Sequence, residues 1–255
     1  MTSRPYVLLS VAMSIDGYLD DRNDARLMLS NEEDFDRVDE VRAGVDAILV
    51  GANTIRRDNP RLLVRSAERQ EKRIRAGLAP HPMKITLTGR GDLDATAQFF
   101  SAGDSQKIVY ARNPAAPALR EALGTLATVV AAGESIDLGA VLDDLGERKV
   151  ERLMVEGGGT IHTQFLSAGL VDEIHLVIAS FFVGDHDAPR FVQPGRFPQN
   201  PEHPMTLAET RQIGNVVLLR YLTVYPGGDG CHRVPHRARS PRRRRSVDRR
   251  RRRPW

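Results

Sequence analysis

Short apolar runs separated by helical stretches are the feature that most limits the fold of this 255-residue chain. Several of the runs are continuously apolar, which is typical of strands covered on both faces. Strands that alternate with helices predict an α/β fold with a mostly parallel sheet. The predicted strands are residues 6–12, 47–50, 84–87, 107–110, 127–130, 152–155, 174–179 and 216–224.

Capping signals place helices between these strands. Ser30 is predicted to be the N-cap of the first helix, with Glu33 completing a capping box. Further helices are predicted at 114–123, 138–145 and 160–168, and Gly169 is expected to cap the last of them. Residues 66–82 indicate a surface loop or a short helix. The Pro/Gly-rich stretch 184–204 indicates a long excursion before an antiparallel return strand at 216–225.

The charge of the chain is divided unevenly. The formal net charge is +4, but residues 231–255 contain 12 arginines and a single acid, Asp248, so residues 1–230 carry a net charge of −7. We therefore predict a globular domain at 1–228 and a disordered arginine-rich tail at 229–255, because like charges repel and the tail has little apolar surface to bury. The tail is also compatible with nucleic-acid binding, although the body lacks a known nucleic-acid motif. Its composition also resembles GC-rich DNA translated in an unselected frame.

Several classes of protein are disfavoured. The single cysteine, Cys231, excludes an intramolecular disulfide framework and a cysteine-rich zinc site. The histidines follow no metal-binding pattern, so no metal is expected. No window approaches the roughly 20 apolar residues of a membrane span, and the N-terminus is interpreted as a first strand rather than a signal peptide. A cytoplasmic location is the default expectation.

Three clusters of polar residues follow predicted strands. The first is Ser14-Ile15-Asp16-Gly17, which presents a hydroxyl and a carboxylate, or simply forms an Asp-Gly turn. The second runs from Gly51 to Arg65, where Arg61 and Arg65 are suited to grip a phosphate; a solvated basic loop is the alternative.

The third cluster is Glu156-Gly157-Gly158-Gly159-Thr160, between an apolar strand and a helix start. Glycines let the backbone approach a pyrophosphate, and a helix N-terminus favours its charge. The pattern is neither a Walker A loop nor the GxGxxG fingerprint of dinucleotide-binding folds. It indicates a nucleotide site, with a tight βα turn as the alternative.

Together, the segments SVAMSIDGYL, VDAILVGANTIRRDNPRLLVR and LMVEGGGTIHTQFLSAGLVDEIHLVIASFFVG resemble the reductase domain of bacterial riboflavin biosynthesis, a dihydrofolate-reductase-like family. The resemblance covers roughly residues 5–225. It implies a mixed, mostly parallel nine-stranded sheet flanked by helices in three layers, NADPH as the hydride donor, and a homodimer. The implied substrate is 5-amino-6-(5-phosphoribosylamino)uracil, whose ribosyl group is reduced to ribityl.

The resemblance also implies roles for individual residues. Glu156 and Asp16 are the predicted catalytic residues, and Glu156 is also expected to hydrogen-bond the substrate. Arg42, Leu62 and Arg65 are expected to hold the substrate, with the arginines on its phosphate. Arg90 and Arg112 are candidates for the 2′-phosphate of NADPH. The predicted cofactor contacts are Ala12, Thr54, Asp58, Thr88, Gly158, Gly159, Thr160 and Ile161.

The chain departs from the family pattern at two positions. Many members have a lysine where Ser10 stands, and a lysine or arginine where Tyr18 stands. Both differences remove positive charge near the first cluster, so they affect the expected substrate more than the expected cofactor. The zinc deaminase domain that many bacterial members carry is absent from this sequence, so reduction alone is predicted. A dihydrofolate-type or other NADPH-dependent reductase acting on a related pteridine or pyrimidine is the alternative enzyme.

Overall fold

The computed structural model describes residues 3–23, 25 and 27–223. Nine strands form one sheet in the order β5-β4-β3-β2-β6-β1-β7-β9-β8. All neighbours from β5 to β7 are parallel, whereas β9 runs antiparallel to both β7 and β8. The strands are β1 (Tyr6–Met13), β2 (Ala47–Gly51), β3 (Met83–Thr88), β4 (Lys107–Ala111), β5 (Thr128–Ala131), β6 (Arg152–Gly157), β7 (Glu173–Ile178), β8 (Thr206–Ile213) and β9 (Val216–Leu222).

Seven helices connect the strands in the described part of the chain. They are α1 (Glu32–Ala43), α2 (Ala52–Asp58), α3 (Ala67–Arg75), α4 (Gln98–Ser101), α5 (Ala116–Leu123), α6 (Leu138–Glu147) and α7 (Gly159–Ser167). One buried cluster joins α6 and α7 to one face of the sheet, and a second joins α4 and α5 to the other face. The predicted three-layer, mostly parallel α/β fold is confirmed. None of the helices in these ranges is both long and apolar enough to cross a membrane.

Some predicted boundaries were wrong. The N-cap of α1 is Asn31 rather than Ser30, since the Asn31 side chain accepts the hydrogen bond from the Asp34 N–H. Ser30 instead donates its hydroxyl to the carboxylate of Asp34. Helix α7 is capped by Ala168, and Gly169, with φ of +66°, follows the cap.

Three elements were not predicted because their sequences carry weak signals, and the four-residue helix α4 is one of them. The edge strand β8 is almost entirely exposed, so no apolar alternation marks it. The segment after Gly51 is a helix, α2, and not only a polar loop. Helix α3 confirms the short-helix alternative for residues 66–82. The predicted tail, 229–255, lies outside the described residues.

Candidate active site

A large cleft lies beyond the carboxyl ends of the central strands β1, β2, β3, β6 and β7. Its volume of about 1570 Å³ exceeds the roughly 300–1,000 Å³ of common small-molecule sites, so it has room for two ligands. The cleft is lined by all but one of the predicted site residues, namely Ala12, Arg42, Thr54, Asp58, Leu62, Arg65, Thr88, Glu156, Gly158, Gly159, Thr160 and Ile161.

The three glycines at the junction of β6 and α7, residues 157–159, each have a structural reason. A Cβ on Gly157 would lie 3.1 Å from the Thr54 hydroxyl oxygen, and Gly158 has a φ of +87°, which favours glycine. A Cβ on Gly159 would lie only 2.2 Å from the carbonyl oxygen of Arg190. The loop therefore brings bare backbone against α2 on one side and against residues near 190 on the other.

This loop forms a cradle that fits a pyrophosphate. Gly158 is the N-cap of α7 and provides no capping side chain, so the first-turn amides of Gly159, Thr160 and Ile161 have no intrahelical acceptor. Unsatisfied N–H groups at a helix N-terminus attract anions. We call residues 157–161, with Thr54, the glycine end of the cleft.

The floor beside the glycine end is formed by β1 and β7. Ala12 pairs in register with Val177, and both residues line the cleft. Small and apolar side chains at this point leave a surface on which a planar ring can lie. Thr88 lies further along at the end of β3, where its hydroxyl oxygen accepts a hydrogen bond from the Gly91 N–H.

Glu156 and Arg42 form a bidentate pair in the middle of the cleft. Both guanidinium-to-carboxylate distances are 2.6 Å, and the side chains are only 13% and 20% exposed. Burial acts to lower the pKa of Arg42, but the Glu156 carboxylate outweighs it and raises that pKa, so the guanidinium stays charged. A paired carboxylate and guanidinium present fixed acceptors and donors to a polar ring.

Residues 61–65 line the cleft beside Arg42, which donates to the Leu63 carbonyl at 3.4 Å as well as to Glu156, and we call these residues the arginine end. Arg61 donates to the Gln98 side chain at 2.5 Å, and Arg65 donates to the Phe35 carbonyl at 3.2 Å. Neither arginine has an ion-pair partner among the described residues. Leu62, between them, is buried and has a φ of +50°, an unfavourable value that bends the chain here.

Asp16 is the predicted site residue that does not line the cleft. Its carboxylate accepts hydrogen bonds from the Ser14 hydroxyl and from the N–H groups of Val183 and Gly184. Desolvation acts to raise the pKa of Asp16, but these hydrogen bonds outweigh it and lower the pKa to about 2. This geometry gives Asp16 a positioning role, in which it ties the turn after β1 to the segment after β7.

Other cleft residues had no clear sequence signal. Asp34 and Arg37 lie on the buried side of α1 and pair with each other at 2.6 Å. Their i, i+3 spacing on a helix is the one sequence feature that indicates this pair. Pro189, Arg190 and Gln193 come from the excursion after β7, whose irregular backbone follows no periodicity.

Comparison with known proteins identifies the family. Residues 5–219 match the model of the RibD C-terminal domain. The chain belongs to the RibD C-terminal domain family. It is 38% identical over 186 residues to the 2,5-diamino-6-ribosylamino-4(3H)-pyrimidinone 5′-phosphate reductase of Archaeoglobus fulgidus, covering 73% of this chain and 85% of that protein. The reductase of the same name from Methanothermobacter thermautotrophicus is 37% identical, with 72% and 82% covered.

Solved structures share the fold of this RibD C-terminal domain protein. A pyrimidine reductase-like protein from Corynebacterium diphtheriae superposes with a TM-score of 0.73 at 22% identity, covering 87% of this chain and 93% of that one. Acinetobacter baumannii RibD superposes with a TM-score of 0.71 at 23% identity, covering 87% and 58%. The family resemblance inferred from the three motifs is confirmed, as is its assignment to the oxidoreductases of riboflavin biosynthesis.

Proposed function

We propose that this protein uses NADPH to reduce the ribosyl group of a 6-ribosylaminopyrimidine 5′-phosphate to a ribityl group. The observation that carries the proposal is the division of one cleft into a glycine end and an arginine end, with the Glu156–Arg42 pair between them. Such a cleft offers a backbone cradle for one phosphorylated ligand and guanidinium groups for another.

The reaction breaks the link between C1′ and the ring oxygen of the sugar. NADPH, when bound, supplies the hydride that C1′ accepts, and a proton must reach the released oxygen. The protein's own contribution is orientation and electrostatics. The amides of residues 158–161 hold the cofactor pyrophosphate, Arg61 and Arg65 hold the substrate phosphate, and Glu156 hydrogen-bonds the pyrimidine or the ribose. Arg42, which the resemblance places on the phosphate, is assigned instead to keeping the Glu156 carboxylate in place, because its Nε and one Nη donate to that carboxylate.

Further cofactor contacts lie along the β3 and β4 strand ends. Thr54, at the glycine end, and Asp58 and Thr88 line the cleft, and we propose that they also contact the cofactor. Arg90 and Arg112 also line it, and they provide the positive charge that a 2′-phosphate requires. We expect their replacement by glutamine to weaken NADPH binding more than NADH binding.

Two pyrimidines are candidates for the substrate. The sequence resemblance implies 5-amino-6-(5-phosphoribosylamino)uracil, whereas the relatives that are 30–38% identical are named for the 2,5-diamino-4(3H)-pyrimidinone. The two rings differ at position 2, which is an oxygen in the first and an amino group in the second. The amino group donates hydrogen bonds and the oxygen accepts them, so the Glu156 carboxylate favours the diamino compound if it faces position 2.

NADPH oxidation at 340 nm tests the proposal. The purified protein should consume NADPH with at least one of the two ribosylaminopyrimidine phosphates, and the ratio of the two kcat/KM values identifies the substrate. Dihydrofolate serves as the comparison substrate. Oxidation with dihydrofolate or another pterin alone would contradict the proposal and support a dihydrofolate-type reductase.

A homodimer and a cytoplasmic enzyme complete the proposal. The homodimer follows from the family resemblance, whereas the cytoplasmic location is the default expectation from the sequence. Light scattering on the purified protein measures the mass, and a value near twice 28.3 kDa is expected.

A further inference from the structure

The excursion after β7 crosses the glycine end of the cleft. We call residues 189–193 the strap. Its backbone is fixed to the turn after β1, since the Leu19 N–H donates to the Pro189 carbonyl at 2.8 Å and the Phe191 N–H donates to the Gly17 carbonyl at 2.9 Å. At its other end, the Gln193 N–H donates to the Thr163 hydroxyl on α7 at 2.8 Å. The strap therefore has a defined position over the cleft.

The strap lies directly against the first turn of α7. The carbonyl oxygen of Arg190 occupies the space that a Cβ on Gly159 would need. The Gln193 side chain donates to the Thr160 hydroxyl at 3.3 Å, and the Phe191 ring lies edge-on to the ring of His162, with centroids 5.5 Å apart. Arg190 is thus next to the amides that form the pyrophosphate cradle.

The Arg190 side chain is held in place by an aromatic ring. Its guanidinium carbon lies 4.4 Å from the ring centroid of Tyr18, and an Nη atom donates to the Tyr18 hydroxyl at 2.6 Å. Tyr18 is itself only 4% exposed, so it is a rigid support. The bond to Tyr18 uses one of the five N–H donors of the guanidinium.

Arg190 differs from the neighbouring arginines of the cleft in its ion pairing. Arg56 and Arg57 on α2 also line the cleft, but they are paired with Asp92 and Asp20 at 2.7 and 2.9 Å. Arg190 lines the cleft, is exposed, and has no ion-pair partner in the described ranges. The Arg190 backbone lies at the N-terminus of α7, and the guanidinium, held on Tyr18, lines the same cleft. A fixed guanidinium without an ion-pair partner is suited to a doubly charged anion bound at that helix N-terminus.

We infer that Arg190 binds the pyrophosphate of the nicotinamide cofactor, and that Tyr18 positions its guanidinium for this contact. The inference rests on the proposed function. Many family members have a lysine or arginine at the position of Tyr18. In this chain, Arg190 of the strap would provide the positive charge for the cofactor instead. The substrate phosphate belongs to the arginine end, so Arg190 is specific for the cofactor.

The test is a fluorescence titration of NADPH in the absence of substrate. We expect Arg190→Gln to raise the Kd of NADPH by about tenfold, since one charge-assisted contact is lost. Arg190→Lys should give an intermediate value, because an ammonium keeps the charge but not the planar stacking. Arg211→Gln is the matched control. Arg211 is exposed on β8, is paired with Glu209 and does not line the cleft. The NADPH Kd of this variant should therefore stay within about twofold of the wild-type value.

Tyr18→Phe provides a second, independent readout. This variant keeps the ring and removes the 2.6 Å hydrogen bond, so the Kd should rise by about two- to threefold in the wild-type background. The same change should have no effect on the Kd when Arg190 is already glutamine. Independent effects of the two changes would exclude the positioning role of Tyr18.

The outcomes separate the inference from the proposed function. An unchanged NADPH Kd in Arg190→Gln overturns the inference, and a higher KM for the pyrimidine in the same variant would place Arg190 on the substrate instead. Wild-type protein that binds no NADPH would contradict the proposed function itself. Thermal unfolding of each variant shows whether the fold is intact.

Discussion

The two ends of the cleft prepare for negative charge in different ways. The glycine end uses backbone amides whose position depends on three residues without side chains, whereas the arginine end uses long side chains, Arg61 and Arg65. Backbone cradles cannot adapt, because a single added carbon meets fixed atoms. Side-chain sites lose contacts one at a time. Binding at the glycine end should therefore be lost after a small change, whereas binding at the arginine end should weaken in steps.

Gly159→Ala should have the largest effect at the glycine end. The added Cβ would lie 2.2 Å from the Arg190 carbonyl oxygen, so the strap or the first turn of α7 must move. A displacement of about 1 Å is enough to cost roughly a hundredfold in a positioned site, and we expect a loss of that size in NADPH affinity. The measurement is the NADPH Kd by fluorescence.

Gly44→Ala is the control for that change. A Cβ on Gly44 meets nothing closer than 3.4 Å, and this glycine follows α1 outside the cleft lining. Its NADPH affinity should match that of the wild type. A Gly159→Ala variant that binds NADPH normally would show that the cradle is not where the cofactor binds.

Glu156→Gln tests the role of the Glu156–Arg42 pair, which lies between the two ends of the cleft. The change keeps the shape but removes the charge that compensates Arg42, and it removes the carboxylate that is expected to face the substrate. We expect kcat/KM for the pyrimidine to fall about 30-fold, the size of a lost hydrogen bond to a charged group. The NADPH Kd should change little. A parallel loss of NADPH binding would mean that the pair maintains the whole cleft and not the substrate position.

Substitutions at the arginine end should have smaller and stepwise effects. Arg61→Gln and Arg65→Gln should each raise the KM of the pyrimidine phosphate by about tenfold, and the double variant by more, with NADPH affinity unchanged. Arg75→Gln, on the exposed surface of α3 and outside the cleft lining, is the control. If the KM of Arg65→Gln equals that of Arg75→Gln, the substrate phosphate binds elsewhere.

The last prediction concerns the buried Lys84 and the free energy of unfolding. Its replacement should have the smallest effect on the binding of either ligand. Burial, and then the charge of Lys107, lower the pKa of Lys84 to about 8, although its ammonium donates to the carbonyls of Phe99 and Ala102. Between about pH 8 and pH 10.5 the unfolded chain binds more protons than the folded one at this site, so Lys84 adds stability as the pH rises.

The check is urea unfolding of the wild type and Lys84→Met at pH 8 and pH 10. The wild type should gain stability relative to the variant, by an amount on the order of 1–3 kcal/mol. Lys72→Met, at an exposed position on α3, should show no such pH dependence relative to the wild type. An equal response in Lys84→Met would mean that the buried lysine keeps its ordinary pKa.

The sequence predicted the glycine end of the cleft better than it predicted the strap that lies against that end. Apolar strands and the Gly157–Gly159 run are local patterns, so the sheet, α7 and the cradle followed from them. The Glu156–Arg42 pair joins residues 114 positions apart and was not predicted, although both residues were. The strap and the edge strand β8 have no apolar periodicity, because one is irregular and the other is exposed. Arg190 could be found only from the fold.

A structure of the protein with NADPH and ribose 5-phosphate tests the central claim most directly. The account predicts the cofactor pyrophosphate on the amides of residues 158–161 and the sugar phosphate on Arg61 and Arg65, with Glu156 between the two ligands. Both phosphates at one end of the cleft, or a cofactor that makes no contact with residues 158–161, would contradict it.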